Sequence, residues 1–194
     1  MNLQNNICKV TISIDEGFRL ESADNNYDYV LNPLDYEKDD YYKVYSIRID
    51  LFTREYCFAL VGDGNSYDDN CAILEEKTLT VLQGWDILQF DVLSGELEKR
   101  KTLDNTGCNF AIYKVDQDYI IYGEIDITSL NSDLETKWSF SGRDVFVSIS
   151  GKTAFEIREN SICLYDFEDN YYEINFDGKL ILDQPNKVQR HEKD

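Results

Sequence analysis

The chain is nearly without histidine: His191, close to its end, is the only one. That removes a Ser-His-Asp triad, a Cys-His dyad built in the core and any multi-histidine metal site. Proline is scarce as well, at Pro33 and Pro185 only, so no segment is a proline-rich linker. No glycine-rich loop follows a strand and opens a helix, which removes nucleotide binding of the P-loop or Rossmann kind. Five cysteines, Cys8, Cys57, Cys71, Cys108 and Cys163, are odd in number, widely spaced and free of any C-x-x-C pair. They form neither a disulfide framework nor a zinc site, and they fit a reducing compartment, so the expected location is the cytoplasm. The longest apolar run, about Cys57 to Val61, is far too short to span a bilayer, and Met1 to Asn6 lacks the basic and apolar regions of a signal peptide.

Basic residues are few beside acidic ones. Nineteen Lys and Arg face 38 Asp and Glu, a formal charge of −19. Both the first 70 residues and the remainder are acidic, so the charge is no tail effect. Binding to nucleic acid or to an anionic membrane is not expected, because both draw their affinity from Lys and Arg. Such a field steers in a basic protein partner, and it also keeps a protein soluble.

Aromatics and strand patterns are abundant. Fourteen Tyr and ten Phe favour strands over helices. Val10, Ile12 and Ile14 alternate with polar residues, and Asp15-Glu16-Gly17 is expected to turn the chain into a returning strand over Phe18–Glu21. Residues 22–40 form the longest loop candidate, with 25–36 the least unfavourable place for a short helix. A second hairpin follows, with Tyr45, Ile47, Ile49 and Leu51 alternating before a turn at Thr53-Arg54-Glu55 and a continuous apolar return over Tyr56–Val61. From about residue 70 a Leu-x-Gly/Ser-x-Leu pattern occurs at Leu93–Leu97, at Leu130–Leu134 and, loosely, at Phe176–Leu180. Two strands joined by a polar turn lie upstream of each copy, and a unit near 40 residues with about four short strands has the period of a propeller blade.

The run Asp86-Ile-Leu-Gln-Phe90-Asp91-Val-Leu-Ser94-Gly95-Glu resembles the third strand and following turn of a WD40-type β-propeller blade, where an aromatic-Asp pair closes the strand before a Ser/Thr-Gly turn. The resemblance extends loosely over residues 70–182 and implies blade-like architecture with no particular activity. The expected fold is therefore all-β and antiparallel. Two N-terminal hairpins (1–69) precede three blade-like repeats (70–183) in one domain, as a partial or small propeller or else a β-sandwich, with a flexible tail at 184–194.

Candidate functional residues are surface chemistry. Asp39, Asp40, Tyr41 and Tyr42, and again Asp169, Asn170, Tyr171 and Tyr172, are acidic-aromatic tetrads suited to a basic partner, although one Tyr of each pair could face the core. Trp85, in a turn, is either an exposed anchor or a cap on the core. Lys99-Arg100-Lys101 is expected to pair with Glu96 and Glu98. Asp63, Asn65, Asp68 and Asp69 make an oxygen-rich turn of the kind calcium uses, but the EF-hand spacing is not met, so no metal and no cofactor is expected. These features point to a non-catalytic acidic interaction module, in one form an immunity or antitoxin-like inhibitor of a basic partner. The alternatives are a small-ligand or carbohydrate-binding β domain, a structural subunit completing a larger propeller, or an enzyme resting on a carboxylate pair.

Overall fold

A computed structural model describes residues 1–67 and 69–186, and among these every regular element is a β-strand. No helix of the described residues is long and apolar enough to cross a membrane. The first sheet holds β1 (Asn2–Gln4), β2 (Lys9–Ile14), β3 (Tyr29–Leu31), β4 (Tyr42–Asp50) and β5 (Glu55–Asp63), in the spatial order β1-β2-β4-β5-β3. The second is an antiparallel meander of β6 (Ala72–Glu75), β7 (Thr78–Gln83), β8 (Asp86–Asp91) and β9 (Leu97–Thr102). The third meander is β10 (Asn109–Val115), β11 (Asp118–Gly123), β12 (Asp126–Leu130) and β13 (Thr136–Ser141). The fourth is β14 (Phe155–Ile157), β15 (Ile162–Tyr165), β16 (Tyr171–Ile174) and β17 (Leu180–Gln184).

The sheets stack in chain order because each strand alternates two apolar faces. Val10, Ile12, Ile47, Phe58 and Leu60 of the first sheet meet Leu79, Val81, Leu88 and Phe90 of the second. On the second sheet's other face, Leu82 and Ile87 meet Ile112, Tyr119, Ile121 and Leu130 of the third. Ile120 and Ile127 then meet Phe155, Ile162, Leu164 and Ile174 of the fourth. Each such aromatic or branched side chain, fully buried, contributes roughly 1.5–3 kcal/mol. Gln83 ties the first two sheets together through Nε2, which donates to the Leu60 carbonyl at 3.0 Å. A Cβ on Gly62 would lie 2.3 Å from the Gln83 side chain, so any larger residue there would displace the Gln83 amide from this bond.

Two of the expected N-terminal hairpins resolve into one sheet. The second is present as β4 and β5. Phe18–Glu21 is not a strand: Phe18 and Leu20 join Tyr27, Tyr36 and Tyr42 in covering Val44, Ala59 and Val61 on the outer face of the first sheet. β2 instead lies between the short β1, paired Leu3 to Val10, and β4, paired Ile12 to Ile47. The 25–36 stretch contains β3, which runs parallel to β5, rather than a helix.

The repeat is real, but its register differs from the leucine pattern. In all four sheets the third strand ends on, or is followed directly by, an Asx residue whose side-chain oxygen accepts a backbone N–H of the turn. These are Asp50 (from Phe52, 2.8 Å), Asp91 (from Leu93, 2.7 Å), Asn131 (from Asp133, 2.9 Å) and Asn175 (from Asp177, 3.0 Å). Leu130 precedes this Asx whereas Leu93 follows it, so the second copy of the pattern is misaligned. The physical repeat is the capped turn, which demands an oxygen acceptor, not a leucine. The C-terminal boundary also shifts. Gln184 belongs to β17, and the Asn186 N–H donates to Asn170 Oδ1 at 2.8 Å. Residues 187–194 of the expected tail, including His191, lie outside the described residues.

Candidate functional site

The meander topology sorts the connections onto two opposite ends of the sheets. First strands neighbour one another across sheets, β1 beside β6 and β6 beside β10. One end therefore carries every turn from second to third strand together with every crossing to the next sheet. Tyr41, Trp85, Ile125 and Asp169 occupy the same second-to-third connection in successive sheets. Local contacts tie this end together. A Cβ on Gly64 would lie 2.3 Å from the Tyr41 ring, and one on Gly84 would lie 2.3 Å from Asp63. Trp85 Nε1 donates to the Gly107 carbonyl at 2.8 Å, and the Glu124 N–H donates to Cys108 O at 2.7 Å.

On this loop face Tyr41 is 72% exposed and Trp85 41% exposed. Tyr67, Ile149 and Phe167 are exposed in connections on the same end. These last three escape a reading of the sequence, because they stand in irregular connections far apart in the chain and only topology puts them on one end. Carboxylates stand in the same connections, and their field is felt by neighbouring groups. Burial pushes the Tyr36 phenol up, and Asp63, Asp86 and Asp40 push it further. Burial likewise raises the Cys108 thiol, reinforced by Glu124 and Asp63. Tyr67 is raised by burial, with Cys108 and Glu124 adding to it.

The remaining candidates divide between surface and core. Asp39 is exposed, and Asp40 caps its own turn by accepting the Glu37 N–H at 2.7 Å. Tyr42 is half-buried, its hydroxyl accepting the Leu20 N–H at 3.2 Å. Asp169 has φ 64° and accepts the Ser150 hydroxyl at 2.7 Å, with Lys152 at 3.5 Å. Tyr171 packs on Tyr165 with ring centroids 5.0 Å apart and donates to Cys163 Sγ at 3.1 Å. Tyr172 is not a surface residue: it is 3% exposed, and its hydroxyl donates to the buried Asp166 at 2.7 Å. Strand alternation dictates this, since adjacent side chains point to opposite faces. The two tetrads stand on the first and last sheets, which share no hydrophobic cluster.

The basic cluster pairs differently from expectation. Lys99 meets Asp133 at 2.7 Å, Arg100 meets Asp86 at 2.9 Å and Lys101 meets Asp104 at 3.8 Å. Glu98 is the bulged residue of β9, between Leu97 paired with Phe90 and Lys99 paired with Gln89, and the three basic side chains find their carboxylates elsewhere. Asp63 Oδ1 caps its own turn by accepting the Asn65 N–H at 2.6 Å, and Asp68 lies outside the described residues. Among the described residues no three His, Cys, Asp or Glu side chains are grouped to hold a metal ion.

Four successive sheets, three of them four-stranded meanders sharing a capped third turn, define an all-β, propeller-like protein in which no sheet closes into a barrel. Solved structures agree on the fold. BamB from Moraxella catarrhalis, a β-propeller, matches with a TM-score of 0.50 at 14% identity, over 78% of this chain and 48% of that one. The dihydro-heme d1 dehydrogenase NirN, also a β-propeller and solved in complex with DHE, matches with a TM-score of 0.50 at 11% identity, over 77% and 36%. The chain thus spans about half of BamB and about a third of NirN. No family model and no curated protein sequence matches it.

Proposed function

We propose that this chain is a non-catalytic interaction module that binds a basic protein partner through the loop face. In one concrete form it is an immunity or antitoxin-like inhibitor seated over the active cleft of its partner. The observation that carries this reading is that exposed Tyr41, Tyr67, Trp85 and Phe167 stand on the same end of the sheets, in connections that also carry Asp40, Asp63 and Glu124. Aromatic side chains supply rigid contact area, and the carboxylates supply steering and charge-assisted hydrogen bonds.

The test uses the purified chain as bait in its host's lysate at low and at high salt, beside a Tyr41→Ala/Trp85→Ala variant. A basic protein captured at low salt, released by salt and lost with the variant supports the reading. Equal capture by the variant, or capture indifferent to salt, removes the loop face from it. A second reading, small-ligand binding, draws on the open groove of about 400 Å³ between Phe18, Tyr42, Val44, Asp15 and Asp40. Saturable binding of a sugar or metabolite that is lost on Phe18→Ala would favour it.

A further inference from the structure

The fourth-position strands β5, β9, β13 and β17 occupy equivalent outer places, yet their edges are treated differently. β5 is covered by β3, paired Tyr29 to Phe58 and Leu31 to Leu60. β9 carries Lys99, Arg100 and Lys101 in succession, the kind of charge that deters a further strand. β13 carries Lys137, and its Trp138 and Phe140 are half-buried against the fourth sheet. β17 carries neither a covering strand nor a row of basic residues, and its one irregularity is a bulge at Ile181. Among the described residues it is bonded to β16 on one side only, and Leu180, Ile181 and Leu182 are 48%, 57% and 37% exposed. A register shift beside Glu173 pairs Ile174 with Leu180 and Glu173 with Leu182, leaving Ile181 outside the ladder. The strand's single charge, Asp183, is held by the Arg143 guanidinium, Nη1 to Oδ1 at 2.7 Å.

We propose that this chain self-associates through β17, the strand of one copy pairing antiparallel with β17 of a second copy about a two-fold axis. An antiparallel edge is complementary to itself, as an isologous contact requires. The charge distribution selects a second copy as occupant. Two chains of −19 repel wherever carboxylates meet, but β17 brings three aliphatic residues and one neutralised aspartate to the contact. A basic partner gains no charge complementarity there, whereas an identical strand buries its own Leu180–Leu182 row.

Salt separates this proposal from the proposed function by sign. Screening weakens the grip on a basic partner but relieves repulsion between two acidic copies. Sedimentation equilibrium of the full chain across a wide concentration range, at low and high salt, should show the mass rising from monomer toward dimer, more completely at high salt. Ile181→Lys should weaken the association by roughly tenfold or more while leaving the melting temperature close to that of the parent chain. Should that variant melt early, amide exchange on the parent chain serves instead: β17 amides should slow at high protein concentration and no others should. A chain that stays monomeric throughout, a folded Ile181→Lys that dimerises as the parent does, or β17 exchange indifferent to concentration overturns the proposal.

Discussion

Tyr172→Phe separates a residue that builds the fold from one that offers a surface. Asp166 is fully buried, and its carboxylate is satisfied by the Asn170 N–H at 2.9 Å, by Asn170 Nδ2 at 3.1 and 2.9 Å, and by the Tyr172 hydroxyl at 2.7 Å. The same hydroxyl accepts the Arg143 N–H at 2.9 Å. Removing one oxygen atom therefore leaves a buried carboxylate short of one donor and a backbone N–H short of its acceptor, with no change in packing volume. A hydrogen bond to a charged group is worth about 1.5–3 kcal/mol. The expected loss is about 2 kcal/mol. For a chain of this size that lowers the melting temperature by roughly 4–8 °C. Urea denaturation should show a lower midpoint at unchanged slope, because the surface exposed on unfolding is the same. Capture of the basic partner should be unaffected at temperatures where the variant is folded. A midpoint within error of the parent would refute the buried network, and a loss of capture without a loss of stability would return Tyr172 to the interface.

Gly64→Ala pushes a methyl into the Tyr41 ring from 2.3 Å, and the exposed ring swings toward solvent. Capture of the basic partner should weaken as in Tyr41→Ala, while stability moves by less than about 1 kcal/mol in a urea titration. Burial, with Tyr113 adding to it, pushes the Tyr122 phenol up from 10.0 to about 12. Between roughly pH 10 and 12 the unfolded chain sheds a proton that the folded chain retains, so stability falls as pH rises through that window. Phenolate absorbance and loss of the strand circular dichroism signal should rise together there. Burial alone would push the Asp91 carboxyl up, but the Ser94 and Leu93 N–H groups and Lys77 outweigh it and hold it below the ordinary range. Its contribution is complete above the ordinary carboxylate pKa and is lost as pH falls through the depressed folded value. Asp91→Asn should therefore lose less stability between neutral pH and about pH 3 than the parent does.

Much of the architecture can be read from the sequence wherever a strand has one polar face or follows a polar turn. The alternation of Tyr45, Ile47 and Ile49, the continuous run Tyr56–Val61 and the paired strands around Glu75, Asp116 and Glu159 all lie where the pattern puts them. Phe18 and Leu20 mislead because they carry the same period-two spacing while serving as a lid. Alternation reports a covered face but not whether the segment itself bonds into a ladder. β1 is invisible because Asn-Leu-Gln has one apolar residue and draws its order from β2. The aligned leucines mislead because the conserved physical need is an acceptor at the turn. Of the candidate site, Tyr41 and Trp85 stand exposed where their turn residues suggest. Their sharing of one end with Tyr67 and Phe167 depends on four sheets facing the same way, which no local window contains.

The segment between β2 and β4 gives the first sheet a far side made from its own neighbourhood in the chain. During synthesis that half of its packing requires nothing downstream: Phe18, Leu20 and Tyr36 are already in hand when Val61 emerges. Each later sheet must instead settle on a predecessor. The covering segment thus leaves the first sheet dependent on later residues for one face alone, the face that meets the second sheet.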